Sequence, residues 1–125
     1  MVDASQVFQP IFPPGNGSIV VSSLDTPLGP SIVRRILVTF PAGCGGLVGI
    51  RISAAQGFAF PSVQGQYITF DDYTYPFDVS NQIDGGNWSI YGYNIDWIAH
   101  EVQVVYEYDY LRQPVNQSSS NLIAL

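Results

Sequence analysis

Three ionisable side chains lie close together in the sequence, Asp96, His100 and Glu101, and His100 is the only histidine of the chain. A carboxylate and an imidazole can bind a divalent metal, but a stable site needs a third and usually a fourth ligand. The other interpretation is an Asx-type turn at Asn94–Asp96, after which His100 begins a strand and forms local hydrogen bonds. Because no second histidine is available, the sequence favours the structural role.

Carboxylates elsewhere do not form a recognisable acid–base pair. Asp71 and Asp72 are adjacent in "TFDDYTYP", and neighbouring residues on an extended backbone face opposite ways, which makes a shared substrate difficult. Asp72 can instead pair with one of three arginines, Arg34, Arg35 or Arg51. Four aspartates can in principle supply oxygen ligands for Ca²⁺, although without EF-hand spacing: Asp71, Asp72, Asp78 and Asp84.

Cys44 is the only candidate thiol nucleophile. It lies in "PAGCGG" with no cationic neighbour, so it is expected to be a small residue beside a turn; a reactive thiol is the alternative. The chain has no G-x-S-x-G elbow, and "PAGCGGLVG" lacks the lysine of a phosphate-binding loop. The sequence therefore predicts a protein that is not an enzyme, with no catalytic residue, no bound metal and no cofactor.

Composition narrows the class of partner. The net charge is −6, all four cations are arginines, and no lysine occurs. Such a surface repels phosphate backbones, so nucleic-acid binding is not expected. No apolar run approaches the ~20 residues that span a bilayer, so no membrane segment is expected, and the N-terminus does not resemble a secretory signal. Few charges and many aromatic residues are typical of a surface that contacts other protein.

The elements that position these residues are predicted from alternation, which is typical of strands with one buried face. It is clearest after His100. One face is predicted to carry Val102, Val104, Tyr106, Tyr108 and Tyr110. The other face is predicted to carry Glu101, Gln103, Glu107 and Asp109. Further strands are predicted over residues 18–24, 31–40, 46–54, 66–70, 75–79 and 87–94. The spacing predicts an all-β, single antiparallel sandwich or barrel of about seven or eight strands with almost no helix.

The two ends differ from the predicted β-sandwich domain, residues 18–112. Residues 1–17 mix apolar residues with prolines, which fits either an extended arm that contacts another subunit or an edge segment folded onto its own sandwich. The candidate contacts in this N-terminal segment are Val7, Phe8, Ile11 and Phe12. Residues 113–125 begin as a polar linker and end in "NLIAL". That tail is expected to dock on a neighbouring subunit through Leu122, Ile123 and Leu125.

Aromatic residues exceed what one small core can bury, with eight tyrosines and two tryptophans in 125 residues. Some are therefore expected at an interface or on a platform that stacks on sugar rings. The candidate aromatic surface consists of Trp97, Tyr73 and Tyr75. A sheet face packed against its partner sheet is the alternative that position in the sequence leaves open.

Three segments, "FPAGCGGLVGIRI", "FAFPSVQGQYITFDD" and "NWSIYGYNIDWIAHEVQVVYEY", together resemble small jelly-roll-like virion accessory proteins of tailed bacteriophages over about residues 38–108. The resemblance implies a jelly-roll-like sandwich located in the virion, where it decorates or cements a capsid. The implied partners are the major capsid protein or other virion subunits, and the expected assembly is a homo-oligomer, taken to be a trimer. The competing expectation is a carbohydrate-binding module or a small tail or baseplate component that stacks aromatic side chains on glycans.

Overall fold

The computed structural model describes residues 4–54, 59–63, 65–84 and 87–110, with the side chains of 80–84 outside that description. These residues form ten strands and contain no helix. No helical segment among them could therefore cross a membrane. The strands are β1 (Ala4–Phe8), β2 (Ile11–Phe12), β3 (Ser22–Asp25), β4 (Ser31–Phe40), β5 (Val48–Ala54), β6 (Ala59–Phe60), β7 (Tyr73–Asp84), β8 (Trp88–Asn94), β9 (His100–Glu101) and β10 (Gln103–Tyr110).

The strands pair in three antiparallel sheets, which confirms the predicted all-β sandwich. One large sheet has the order β1-β10-β4-β7, and the other has the order β3-β8-β5-β6. The small third sheet pairs β2 with β9. From β3 onward the chain passes repeatedly between the two large sheets, so residues distant in sequence meet in the core between them.

Alternation on the long strands forms the core. In β10 the buried residues are Val104, Tyr106 and Tyr108, which all belong to the predicted face. Tyr110, at the end of the same face, is exposed. In β4 the pair Arg34–Arg35 interrupts the alternation, and the pairing register shifts there against both neighbouring strands. This irregularity lets two consecutive polar residues leave the core while Val33 and Ile36 both stay in it, as a β-bulge does.

Other strand predictions need correction. Residues 66–70 do not form a strand, because the segment makes only the isolated bridge Ile50↔Ile68. The strand predicted at 75–79 is the longer β7, and the one predicted at 18–24 is only β3. The strand predicted at 100–110 is divided at Val102, whose N–H donates to the Pro10 carbonyl at 3.0 Å instead of joining the ladder. Strands β1, β2 and β6 were not predicted.

The N-terminal segment folds onto its own domain over residues 4–12. β1 pairs with β10, and β2 pairs with β9, so the edge-segment interpretation describes these residues. Phe12 was expected to contact another subunit, and the structure corrects this: its side chain is 3% exposed and lies in the hydrophobic core. Phe8 is half-buried with its ring edge-on to Tyr106. The tail predictions for Leu122, Ile123 and Leu125 lie outside the described residues.

Candidate functional site

His100 and Asp96 form part of a polar network that shapes the loop between β8 and β9. The backbone N–H of Asp96 donates to Asn94 Oδ1 at 2.9 Å, which confirms the predicted Asx turn. His100 Nε2 lies 2.8 Å from Asp96 Oδ2, and the Trp97 N–H donates to Asp96 Oδ1 at 2.7 Å. The His100 hydrogen bond, followed by the one from Trp97, lowers the pKa of Asp96.

Asn94 joins this loop to the N-terminal segment. Its buried amide donates to the Phe12 carbonyl at 3.0 Å and to the Ile98 carbonyl at 2.8 Å. The loop is therefore fixed to the domain by hydrogen bonds on its buried side, while the side chains of Trp97 and Ile98 are 69% and 61% exposed. Among the described residues, no group of three or more His, Cys, Asp or Glu side chains could hold a metal ion. The arrangement displays apolar side chains on a well-held loop.

Cys44 is buried in the glycine-rich turn before β5. Burial, followed by the charges of Asp71 and Asp96, raises the pKa of the thiol, which keeps it protonated and poorly nucleophilic. Asp71 Oδ1 accepts hydrogen bonds from the N–H groups of Gly43 and Gly45, each at 2.9 Å. Both glycines have positive φ, 103° and 57°, so glycine suits the turn that Asp71 closes. These residues have a structural role.

The arginines of the described region make contacts within the domain. Arg34 pairs with Asp109 and Arg35 with Glu107, at 2.8 and 2.9 Å. Arg51 Nη1 donates to three backbone carbonyls of the loop after β6, those of Pro61, Val63 and Gln66. These contacts do not include the predicted partner Asp72, which is exposed in a turn with φ 50°. Because the arginines hold neighbouring strands and a loop, they do not form a basic recognition patch.

Tyr73 and Tyr75 belong to a row of aromatic rings along one side of the sandwich. Tyr75 lies 5.2 Å from Phe70 and 5.7 Å from Phe60 between ring centroids, and Phe60 stacks on Phe77 at 4.1 Å. The row lies beside β7 and β6, the edge strands of the two large sheets. Tyr75 is half-buried in it, and Tyr73 is 49% exposed at its end. This side of the sandwich is therefore closed by aromatic packing.

Trp97 was grouped with these tyrosines, but the described ring contacts do not join them. The Trp97 ring instead lies beside the turn at Gly17, where a Cβ would come within 3.9 Å of it. The Asn16 and Gly17 N–H groups donate to the carbonyls of Asp96 and Ile95, at 3.1 and 2.9 Å. The Trp97 loop and the turn at residues 15–18 therefore form one continuous surface, distinct from the aromatic row.

The other edge strand of the second large sheet, β3, is less well covered. Leu24 pairs with Ile90, so the two side chains face the same way, toward the core. Ile90 is fully buried, yet Leu24 is 38% exposed. Ser22 pairs with Gly92 on the same face and is also exposed. The inward face of β3 is therefore only partly covered, unlike that of its neighbour β8.

Two adjoining hollows of about 300 and 180 Å³ lie beside β3 and the residues that precede it. One wall is residues 10–15 and the other is residues 20–24, and Asn94 lies between them at one end. We refer to these two walls and the space between them as the open seam. The apolar side chains in and around it have large exposed fractions: Ile11 66%, Ile19 63%, Val20 68%, Val21 45%, Leu24 38%, Trp97 69% and Ile98 61%.

Only part of this surface carries residues that the sequence marks as candidates. Ile11 was a candidate subunit contact and Trp97 a member of the candidate aromatic surface, whereas Val20 and Leu24 were assigned to an ordinary strand. The signal for the second wall was its lack of alternation, because "IVV" at residues 19–21 is apolar without a polar face. Such a run predicts burial on both faces, yet the three residues precede β3 and all of them are exposed.

Comparisons with known proteins do not place the chain in a family. No protein-family model matches it, and neither does any curated protein. Among solved structures, the one described as "Crystal Structure of FLHE" is similar with a TM-score of 0.41 and 10% sequence identity. That alignment covers 85% of this chain and 98% of the other. Similarity this low carries no argument about function.

Proposed function

We propose that the chain is a non-enzymatic structural protein of a tailed-phage virion, most simply a capsid decoration or cement protein, that binds neighbouring subunits through the open seam. The observation that supports binding is the exposed apolar surface around Ile11, Val20 and Trp97. Soluble monomers rarely leave large contiguous apolar patches uncovered, and such patches commonly mark interaction sites. The virion context is inferred from the sequence resemblance and is the part that an experiment must establish.

The form of the seam suits contacts with extended protein segments. β3, which forms part of one wall, is an edge strand, and an edge strand offers main-chain donors and acceptors to an added strand. The apolar side chains of the two walls then supply burial, worth about 25 cal/mol for each Å² removed from water. A surface with these two features binds protein without requiring a catalytic group or a cofactor.

A second candidate, glycan binding, is supported by the exposure of Trp97, whose indole is 69% exposed on a loop held by Asp96. A sugar ring can stack on such an indole. Tyr73 and Tyr75 are not in ring contact with it in the described structure, so a stack would rest on one ring. A glycan array with the wild-type chain and Trp97→Ala tests this: saturable binding that the variant loses supports a carbohydrate-binding module and contradicts a purely protein-binding role.

The virion assignment is tested by purifying phage particles from the source of the sequence on a density gradient. Quantitative mass spectrometry of the fractions should show the chain peaking with the major capsid protein, at a constant ratio across the peak. A chain that separates from the particles, or is absent from them, contradicts the assignment.

A further inference from the structure

A row of apolar side chains crosses the β1-β10-β4-β7 sheet on the face that points away from the core. Strand pairing aligns one residue from each strand in this row: Val7, Val105, Leu37 and Pro76. Both neighbours of Val105 and of Leu37 along their strands are fully buried, so the row itself projects from the opposite face of the sheet. Val7 and Pro76, at the two ends, are exposed, and the two central side chains are half-buried. The sheet therefore carries an apolar stripe on its outer side.

Polar residues border this apolar stripe on both sides. The row on one side consists of Ser5, Glu107, Arg35 and Asp78. Arg35 Nε donates to Glu107 Oε1 at 2.9 Å, so a cation and an anion lie side by side at the middle of that row. The row on the other side is uncharged and consists of Gln103, Thr39 and Thr74. An apolar strip rimmed by polar groups is typical of a protein–protein interface. We refer to the three rows together as the outer face.

The charges of the outer face identify its partner. We propose that it binds the outer face of a second copy of this chain, about a two-fold axis that runs parallel to the strands between β10 and β4. This rotation exchanges β10 with β4 and β1 with β7. Glu107 of each copy then lies opposite Arg35 of the other, and Asp78 lies opposite the Ser5 hydroxyl, while apolar residues of the stripe meet apolar residues. A symmetric contact requires a surface that is complementary to itself, and the outer face meets that requirement.

Other arrangements leave charges without opposite partners. A two-fold axis along the stripe would place the charged row against the uncharged row of Gln103 and Thr39, where burial removes hydration without supplying an opposite charge. A partner of uniform charge would place a like charge opposite either Arg35 or Glu107. Sheets packed face to face are rotated by about 30°, so opposed residues diverge toward the sheet edges. The best-aligned positions are those beside the axis, and these hold the two ion-paired residues.

The size of the outer face determines how strong the contact is. Four strands about 4.8 Å apart and three rows about 7 Å apart give a face of roughly 19 Å by 20 Å. This is about 400 Å² on each copy, against the ~800 Å² that each partner buries in a standard interface. We therefore expect a weak dimer, with a dissociation constant of about 10 μM to 1 mM.

Exchange of the two central charges tests the contact in the full chain. Arg35→Glu and Glu107→Arg each bring like charges together across the two-fold axis, so each variant alone should associate at least tenfold more weakly than wild type. In an equimolar mixture, the Arg35→Glu chain again faces opposite charges on the Glu107→Arg chain. Sedimentation equilibrium should therefore show a mixed dimer at least tenfold tighter than either variant's own dimer.

Two features make this recovery specific. The ion pair within each chain is lost in both variants and mixing does not restore it, so recovery reports the contact between chains. Each substitution changes the net charge of −6 by two, so both chains stay acidic and general attraction between them is absent. Circular dichroism should confirm that both variants fold. A mixture that associates no more strongly than the separate variants overturns the proposal.

A second pair of variants tests the apolar stripe without disturbing the ion pair. Val7→Asp places a carboxylate opposite Pro76 of the second copy and should weaken self-association of the chain about fivefold or more. Val21→Asp is the matched control, because Val21 lies in the open seam and the two side chains are 47% and 45% exposed; it should leave self-association nearly unchanged. Equal effects of the two variants overturn the proposal, and so does a wild-type chain that stays monomeric at about 1 mM.

The outer face and the open seam share no residue, so the two proposals can fail separately. A chain that forms this dimer but is absent from particles contradicts the virion role and leaves the dimer intact. Loss of particle binding by Val7→Asp, with unchanged self-association, would assign the stripe to a different virion subunit and overturn the second copy as its partner.

Discussion

Asn94 is the residue whose replacement should most clearly reveal how the seam is built. Its side chain is 2% exposed and makes three hydrogen bonds, to the Phe12 carbonyl, the Ile98 carbonyl and the Asp96 N–H. Each such bond contributes about 0.5–1.5 kcal/mol net, and Asn94→Ala leaves all three backbone partners without it. We expect Asn94→Ala to lower the free energy of unfolding by about 2–4 kcal/mol.

Urea denaturation followed by tryptophan fluorescence measures this loss. With an m-value of about 1.5 kcal/mol/M, the midpoint should fall by roughly 1.3–2.7 M. Gln6→Ala, which removes an exposed amide from β1, is the control and should change stability by no more than about 0.5 kcal/mol. If Asn94→Ala costs no more than Gln6→Ala, the network does not hold the N-terminal segment and the loop together.

The Asn94→Asp variant refines the same test. The carboxylate can still accept from the Asp96 N–H, but it cannot donate to the carbonyls of Phe12 and Ile98, and it buries a charge beside them. It should be less stable than Asn94→Ala at neutral pH. The difference between the two variants should narrow on acidification, since a protonated carboxyl can donate one of the lost bonds. A difference that stays constant with pH would contradict this explanation.

Three further predictions concern Asp96, Cys44 and Phe12. Because the folded-state pKa of Asp96 lies below its ordinary value, its contribution to stability is present above about pH 4 and is lost as pH falls through the folded pKa. Urea titrations at several pH values should therefore show a steeper loss of stability in acid for wild type than for Asp96→Asn. Parallel curves would contradict the His100 contact. Because burial raises the pKa of the Cys44 thiol, iodoacetamide at pH 8 should alkylate it at least tenfold more slowly in the folded chain than in urea. Equal rates would show that the thiol is accessible in the folded chain. Phe12→Ala should lower the free energy of unfolding by about 3–5 kcal/mol. Ile11→Ala removes a side chain that is 66% exposed and should lower it by less than 1 kcal/mol. Similar losses would contradict the assignment of Phe12 to the core.

Features governed by local pattern could be predicted from the sequence. The face of β10 that carries Val104 and Tyr106 follows from alternation alone, and the Asx turn follows from the spacing of Asn94 and Asp96. The bulge at Arg34 was not predicted, although its cause is also local, since two consecutive arginines cannot both alternate with core residues. In each case, neighbours in the sequence determine the structure.

Features that depend on sheet order could not be predicted. Nothing near Leu24 in the sequence shows that its inward face lacks a cover, because the cover would have to come from another part of the fold or another chain. The stack of Phe60 on Phe77 joins strands of different sheets, so Tyr75 could not be assigned to packing in advance. Phe12 was misassigned for the same reason: the proline-rich flanks fitted an arm as well as an edge segment, and its ring is buried where β2 pairs with β9.

Binding of neighbouring subunits by the open seam is tested most directly by rebinding purified chain to particles from which it has been stripped. Val20→Asp places a charge in the seam. Val63→Asp is the matched control, because it places the same charge at another exposed valine outside the seam; the two side chains are 68% and 57% exposed. Both variants should fold as wild type does by circular dichroism. Co-sedimentation should show at least a tenfold weaker affinity for Val20→Asp and near wild-type affinity for Val63→Asp. Equal binding by the two variants would contradict the claim.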